Sequence, residues 1–547
     1  MLTKLLSGEL KYYSDRKEVS YYSLILVSLP SIALFICFYG INGIRWLDQV
    51  VINYLMNSSA LGSDASLFGM GFVTSEYNPY FYLHRLIVYL SNLIDVPYTS
   101  ITSISFLLVI FFSFFVLAKL TSLFTHSFVA ILVTGILVAL NVNLTVIGNS
   151  RLFMTSFAPF FIATPLALLA IYYFFSGKYS LLFVVTPLVV WIHFPSGFYI
   201  CLILSLYFLF TKQVLAVAKR NWVALIFFLV SMTPYIYLLL IQLRSVDSPL
   251  PNWGVELLKI LTYGHISLYY IFSAYPLKMI VFVFVAVLTY LSLTVFYKKK
   301  YVGTSHEDVA EKIQLLGFIV IFLLVLYFIL VDIVAIPFLY KFELVKIFWY
   351  LSLFLVILIP ATAQLVISEL RVTGKISLRH LGSVLSVMLV LAYLYGSKPF
   401  AESDPNNTEI GWQNITKMTN KLPAESIVLA PYTRIDYYRF GKRLSPFNYY
   451  VTLFSFDHSL LPLFNEKFNH FIQDRFLESY VEEVVVDPSK IPTFKAKIRK
   501  SWEQLTIEKL QELQKFYGIT HVIREAGLPL DLPVVFINTS FVVYRLI

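Results

Sequence analysis

Charge is what this chain has least of. Only 14% of its 547 residues are charged, against 58% hydrophobic, where a soluble globular chain carries roughly 25% charged and 45–50% apolar residues. So little charge cannot cover a water-exposed surface of this size, and a fully soluble protein is excluded. Cysteine is nearly absent too. Cys37 and Cys201 each lie within an apolar run, which leaves no disulfide framework, zinc spacing or haem-attachment motif. A basic face is also missing. The net charge is +10, but the Lys and Arg residues sit in short clusters beside apolar runs, which argues against nucleic acid as a partner and for topology signals and lipid headgroup contacts.

What the chain has in abundance is long apolar stretches, at 21–39, 127–147, 278–296 and 312–331. About 20 such residues cross a hydrocarbon core at 1.5 Å rise each. The segment 1–20 is polar and basic, and no small-residue cleavage site follows the first apolar run, so that run reads as a retained span. Spans are expected near 21–39, 101–118, 127–147, 157–176, 180–193, 196–210, 222–243, 279–296, 312–332, 347–366 and 381–396. These add up to about eleven crossings.

Alternate connections carry Arg16 and Lys17, Lys119, Lys178, the group Lys212, Lys219 and Arg220, then Lys298 to Lys300, then Arg371, Lys375 and Arg379. The positive-inside rule puts that set in the cytoplasm. An odd number of crossings then leaves residues 397–547 outside. The expected architecture is an α-helical polytopic membrane protein, with a transmembrane domain at 1–396 and an extracytoplasmic α/β domain at 397–547.

The outer connection 40–100 is longer than span-linking requires. Asn78-Pro79 has the form of a helix start, with Asn as cap and Pro at the first helical position. The segment from Tyr80 to Ile94 is apolar but broken by His84, Arg85 and Asn92, and predicts an amphipathic helix lying in the interface. Residues 46–56 predict a second. Between Lys178 and Lys212 the chain must go out and return, with a break at 193–197, His-Phe-Pro-Ser-Gly. Each arm of about 14–15 residues gives roughly 21–23 Å of helix against a core about 30 Å thick. A turn sunk below the outer surface is predicted, and non-helical backbone there must be protein-buried or line a wet cavity.

The tail has a different texture. Helix-like segments at 411–421, 465–480 and 503–517 alternate with β-branched runs at 426–430, 520–524, 533–537 and 541–546, a small α/β pattern. The tail has no Gly-rich phosphate loop, no G-x-S-x-G and no metal-ligand spacing.

Several outer residues could carry chemistry. Asp48, in WLDQ just beyond the first span, is a carboxylate placed to act as a base. Asp64 and Glu76 share its loop, and two or three such acids could alternatively hold a divalent cation. Arg151, Arg244, Lys259, His265, Lys341 and Lys346 fall on outer loops near spans, where basic residues are less expected. Converging, they would suit a phosphate leaving group; singly, they would snorkel to headgroups. His193, in the sunken turn, wants a polar partner. Asp332, at the outer end of a span, either pairs with a base such as Lys341 or belongs to the cavity.

This layout resembles the GT-C superfamily of membrane glycosyltransferases. The resemblance rests on Asp48 in WLDQ, the helix at 78–94 and the domain at 397–547. The segments RLFMTSFAPF from Arg151, WIHFPSG from Trp191, KFYGITHVI from Lys515 and FVVYRLI from Phe541 are similar to those of bacterial multi-span proteins grouped near that superfamily. The resemblance implies a multi-pass protein of a bacterial cytoplasmic membrane with its N-terminus in the cytoplasm. It also implies transfer of a sugar from a polyprenyl-phosphate donor to a glycan, lipid or protein acceptor. Asp48 and Asp64 would be catalytic. Glu76, Arg151, His193, Arg244, His265, Asp332, Lys341 and Lys346 would bind substrate. A lipid or polysaccharide transporter and a non-catalytic envelope-assembly scaffold are the rival readings.

Overall fold

In the computed structural model the described residues are 19–39, 82–140, 159–244, 252–261, 267–274, 305–336, 344–372, 408–431 and 475–547 apart from 492, with isolated positions between. The segment expected at 46–56, the end of the 127–147 span, most of 279–296 and all of 381–396 lie outside them.

The membrane-type helices begin with α1 (Tyr21–Tyr39), capped by Ser20, whose Oγ accepts the Ser23 N–H at 3.2 Å. Next come α2 (Tyr82–Ile94), α3 (Tyr98–Thr121) and α4 (Phe128–Ala139). Small and hydroxylated residues let these helices approach closely, as in other membrane bundles. The Ser28 hydroxyl lies 2.8 Å from its own Leu24 carbonyl and 3.3 Å from Phe114 O on α3. Gly135 of α4 lies so near α1 that an added Cβ would stand 2.3 Å from Ser31 Oγ.

α5 (Pro159–Phe175) packs on α3, with Phe161 and Phe106 rings 5.2 Å apart. α6 (Tyr179–Ile192) and α7 (Phe194–Phe210) follow, then the short α8 (Val214–Arg220), bent 113° from α7, and α9 (Trp222–Arg244). Two small helices, α10 (Asn252–Leu261) and α11 (Leu268–Ala274), precede α12 (Ser305–Phe328). α12 runs on into a π turn, Ile329–Ile333. A 3₁₀ turn, Leu344–Ile347, leads into α13 (Phe348–Val372).

On α3, Ile104, Leu107, Leu108 and Phe112 face outward at helical spacing; on α12, Phe318, Ile321, Phe322 and Val325 do the same. Contiguous apolar faces of this kind suit lipid and not water. Among the described residues two helices, Ser100–Thr121 and Glu311–Ile333, are long and apolar enough to cross a membrane, and the bent pair α7–α8 makes a third by length and composition.

The bundle has two unlike ends. At one, the Lys119 ammonium donates to Tyr21 Oη at 3.1 Å and lies 4.7 Å from the rings of Tyr21 and Tyr172. Buried Lys312 reaches the Phe175 carbonyl at 3.4 Å, a cation at the negative end of α5. At the other end, Phe160 meets His193 and Trp349 edge-on, at 5.4 and 5.9 Å.

The tail holds α14 (Thr408–Thr419), β1 (Val428–Leu429), α15 (Phe476–Val486), a 3₁₀ turn (Pro488–Lys490), α16 (Thr493–Glu503) and α17 (Ile507–Tyr517). The strands β2 (His521–Glu525), β3 (Val534–Ile537) and β4 (Phe541–Arg545) complete it. The sheet order is β1-β2-β4-β3, with β1 parallel to β2 and β4 antiparallel to both its neighbours. Alternating residues bury both faces. Val428, Ile523 and Val543 join Trp412 of α14, while Leu429, Val522 and Val542 join Leu510 and Leu513 of α17. Helix ends are finished by side chains. Buried Arg524 donates to the Trp502 and Glu503 carbonyls closing α16. Gly518 takes a left-handed φ of 64° after α17.

Two expectations need correction. The segment expected as one tail helix at 465–480 is helical at the described positions 465, 466, 469 and 470 and again from Phe476, where α15 runs on to Val486 after Arg475 at a left-handed φ of 55°, and the separate helix Thr493–Glu503 lies outside that expectation. The break at 193–197 is one residue wide: His193 alone is extended, while Phe194 to Gly197 are buried and already helical in α7.

Candidate functional site

Sequence places Asp332 at the end of an apolar run, and the structure shows what holds it there. The π turn closing α12 carries the carboxylate to the N-terminus of α11, and π turns recur where a helix must re-aim a side chain. Asp332 Oδ1 accepts from Ser267 Oγ at 2.5 Å. Its Oδ2 accepts from the backbone N–H of Leu268 at 3.0 Å and of Tyr269 at 3.3 Å. Ser267 Oγ in turn accepts the Tyr270 N–H at 3.2 Å. The free donors of a helix start are thus satisfied by one serine and one acid from a distant segment.

Tyr270 extends the network. Its hydroxyl donates to Glu256 Oε2 at 3.1 Å, and Lys259 Nζ sits 2.9 Å from Glu256 Oε1. Burial, with the Glu256 charge beside it, pushes the Tyr270 phenol well above its ordinary value, so it remains a donor. The Lys259 side chain is 5% exposed and that of Glu256 is 32% exposed. Glu256 therefore has a fixed orientation and an open side, the arrangement a proton-accepting carboxylate needs. Asp332 is saturated by donors and serves to position.

His193 sits at the same end of the bundle. It caps α7: the Ser196 N–H points at Nδ1 from 3.3 Å, and Ser196 Oγ lies 2.8 Å from the same nitrogen. The Ser196 carbonyl receives the Tyr350 hydroxyl at 2.8 Å. Gly197 is required here, since a Cβ would stand 2.6 Å from the Val190 backbone nitrogen. Lys346 lies in the 3₁₀ turn that packs on α7 and α12.

Of the residues singled out from sequence, His193, Asp332 and Lys346 thus share one end. Asp48, Asp64, Glu76, Arg151, His265 and Lys341 lie outside the described residues, as does the side chain of Arg244. Asp332 takes Ser267 and a helix start as its partners. Glu256, Ser267 and Tyr270 were missed; the only sequence trace was Lys259 as an outer base. Among the described residues no group of three or more His, Cys, Asp or Glu could hold a metal ion.

The site is also roofed. α10, which carries Glu256 and Lys259, packs on α15 of the tail, burying Leu257 and Ile260 on one side and Leu477, Tyr480, Val481 and Val484 on the other. No family model, curated protein or solved structure matches the chain.

Proposed function

We propose that the chain is a membrane glycosyltransferase of about eleven spans, moving a sugar from a polyprenyl-phosphate donor to a glycan, lipid or protein acceptor. Its working face is the outer interface of a bacterial cytoplasmic membrane, with the N-terminus in the cytoplasm. The observation that supports this reading is the half-buried network of Asp332, Ser267, Tyr270, Glu256 and Lys259 at the bundle end opposite Lys119 and Lys312. Ionisable groups at the membrane are costly and are kept where they serve a substrate path. The positive-inside rule makes the Lys119 end cytoplasmic, which turns the network and His193 outward, under the tail.

In this reading Asp48 takes the proton from the acceptor hydroxyl as the sugar leaves the lipid phosphate, with Asp64 and Glu76 in the same loop. Arg151, Lys341 and Lys346 stabilise the departing phosphate charge. His193 lines the cavity, and Arg244 and His265 take part in binding substrate. Asp332 holds α11 in place, and the tail selects the acceptor. Purified chain incubated with labelled prenyl-phospho-sugars should transfer label, and Asp48→Asn should abolish that transfer while expression stays normal. Near-normal turnover in the variant would discard the assignment. Lipid movement without transfer would instead mark a transporter, and neither activity a scaffold.

A further inference from the structure

α10 carries three polar side chains in one row. Asn252, Glu256 and Lys259 recur at the i, i+4 and i+7 spacing of a single helix face. The row sinks along the helix: Asn252 is exposed, Glu256 part-exposed and Lys259 buried. An ordinary solvated face does the opposite, since a lysine keeps its head in water and buries only its stem. Here the ammonium is the innermost group and the amide the outermost. The adjoining stripe, Leu257 and Ile260, is the one packed under the tail.

The inner end of the row is held in place. Tyr270 Oη donates to Glu256 Oε2 and Lys259 Nζ to Oε1, and Tyr270 is itself buried and tied through Ser267 to Asp332. Each carboxylate oxygen has a second lone pair, so Glu256 can accept further bonds on its open side. Trp253, partly buried, is its neighbour on the helix surface three positions back.

Charge narrows what could enter. Glu256 is matched by Lys259, and Asp332 is occupied by Ser267 and the two N–H groups that open α11. On α15 above, Glu478 pairs with Arg475 and Glu483 with Lys490 and Lys497, while Glu482 is exposed. A phosphate would meet Glu256 before it reached Lys259, and a cation would meet Lys259 behind a carboxylate already neutralised. A neutral ligand rich in hydroxyls fits. Its hydroxyls donate to Glu256 and exchange bonds with the Asn252 amide, and the indole offers a flat surface to the apolar side of a sugar ring.

We propose that the row from Asn252 to Lys259 is a sugar-binding slot, in which Glu256 and Asn252 bond the hydroxyls of one neutral ring and Trp253 carries its apolar side. This rests on the reading of the chain as a sugar transferase and gives that reading a recognition element separate from Asp48. The ring belongs either to the lipid-linked donor or to a glycan acceptor.

Binding to full-length chain in nanodiscs would be measured by thermophoresis for polyprenyl phosphate, bare or carrying glucose, galactose, mannose or N-acetylglucosamine. The free tetrasaccharides would be measured against tetraethylene glycol. At least one sugar should bind about tenfold or more tighter than its sugar-free counterpart. Preference among the lipids marks the donor's ring, and preference among the free probes the acceptor's. Glu256→Gln should cut that preference about tenfold, and Asn252→Ala, at an exposed position, several-fold. A preference unchanged in either variant that keeps its melting temperature would overturn the slot and leave the transferase reading standing. No preference for any sugar in the unsubstituted chain would overturn both.

Discussion

Ser267 and Asp332 lie 65 positions apart in sequence, yet the serine hydroxyl meets the carboxylate at 2.5 Å. With the two backbone donors beside it, this contact ties α11 to the end of α12. Asp332→Ala leaves those three donors short of a partner, which should cost about 1–3 kcal/mol. Thermal unfolding in detergent reads the loss, and hydrogen exchange should localise it to 267–274. Unchanged exchange there would show that the carboxylate does not anchor the helix.

Lys259 and Glu256 should respond unequally. Glu256→Leu strands a buried ammonium and should destabilise by about 3 kcal/mol, the range for breaking one side of a buried pair. Lys259→Met keeps the apolar stem and leaves Glu256 its Tyr270 donor and its open side, so it should cost clearly less. Melting temperatures of the two variants test the order, and a reversed order would refute it.

Gly197→Ala should fail to pack. The new Cβ would meet Val190 Cγ2 at 2.3 Å and also the Val190 backbone N and Cα at 2.6 and 2.7 Å. Overpacking of this kind costs about 1–3 kcal/mol or more. Adding Val190→Ala removes only the side-chain clash, so the double variant should stay destabilised; full recovery would show that the backbone can yield.

The tail should weaken in mild acid. Burial, and secondarily the Arg545 charge, hold His521 below its ordinary 6.5. The folded state thus binds this proton less readily than the unfolded one. The stability this contributes is present above about 6.5 and is lost as pH falls through the lower folded value. Exchange rates of β2 and β4, corrected for intrinsic chemistry, should rise between about pH 7.5 and 5. His521→Gln should flatten that dependence, and an unchanged slope would exclude this histidine as its source.

The apolar helices were legible because an apolar run needs no partner to identify it: the run at 21–39 is α1 residue for residue. The strands were legible because β-branched runs between turn residues mark them, so 533–537 and 541–546 fall within a residue of β3 and β4. α15 runs six residues past its expected end at 480. The run Val484 to Val486 is β-branched and poor in helix propensity, and of the three only Val484 is buried. The network around Asp332 was half legible. An acid ending an apolar helix is conspicuous, whereas Ser267 and Tyr270 gain meaning only when α11 is brought against α12. The break at His193 was legible as a break, but its width depends on Gly197 closing against Val190.

β4 follows β3 in the chain yet lies between β2 and β3, and these two share no ladder of their own. During synthesis the sheet therefore stays in two pieces until Phe541–Arg545 has emerged. Closure of the sheet waits on a five-residue strand made after everything it joins.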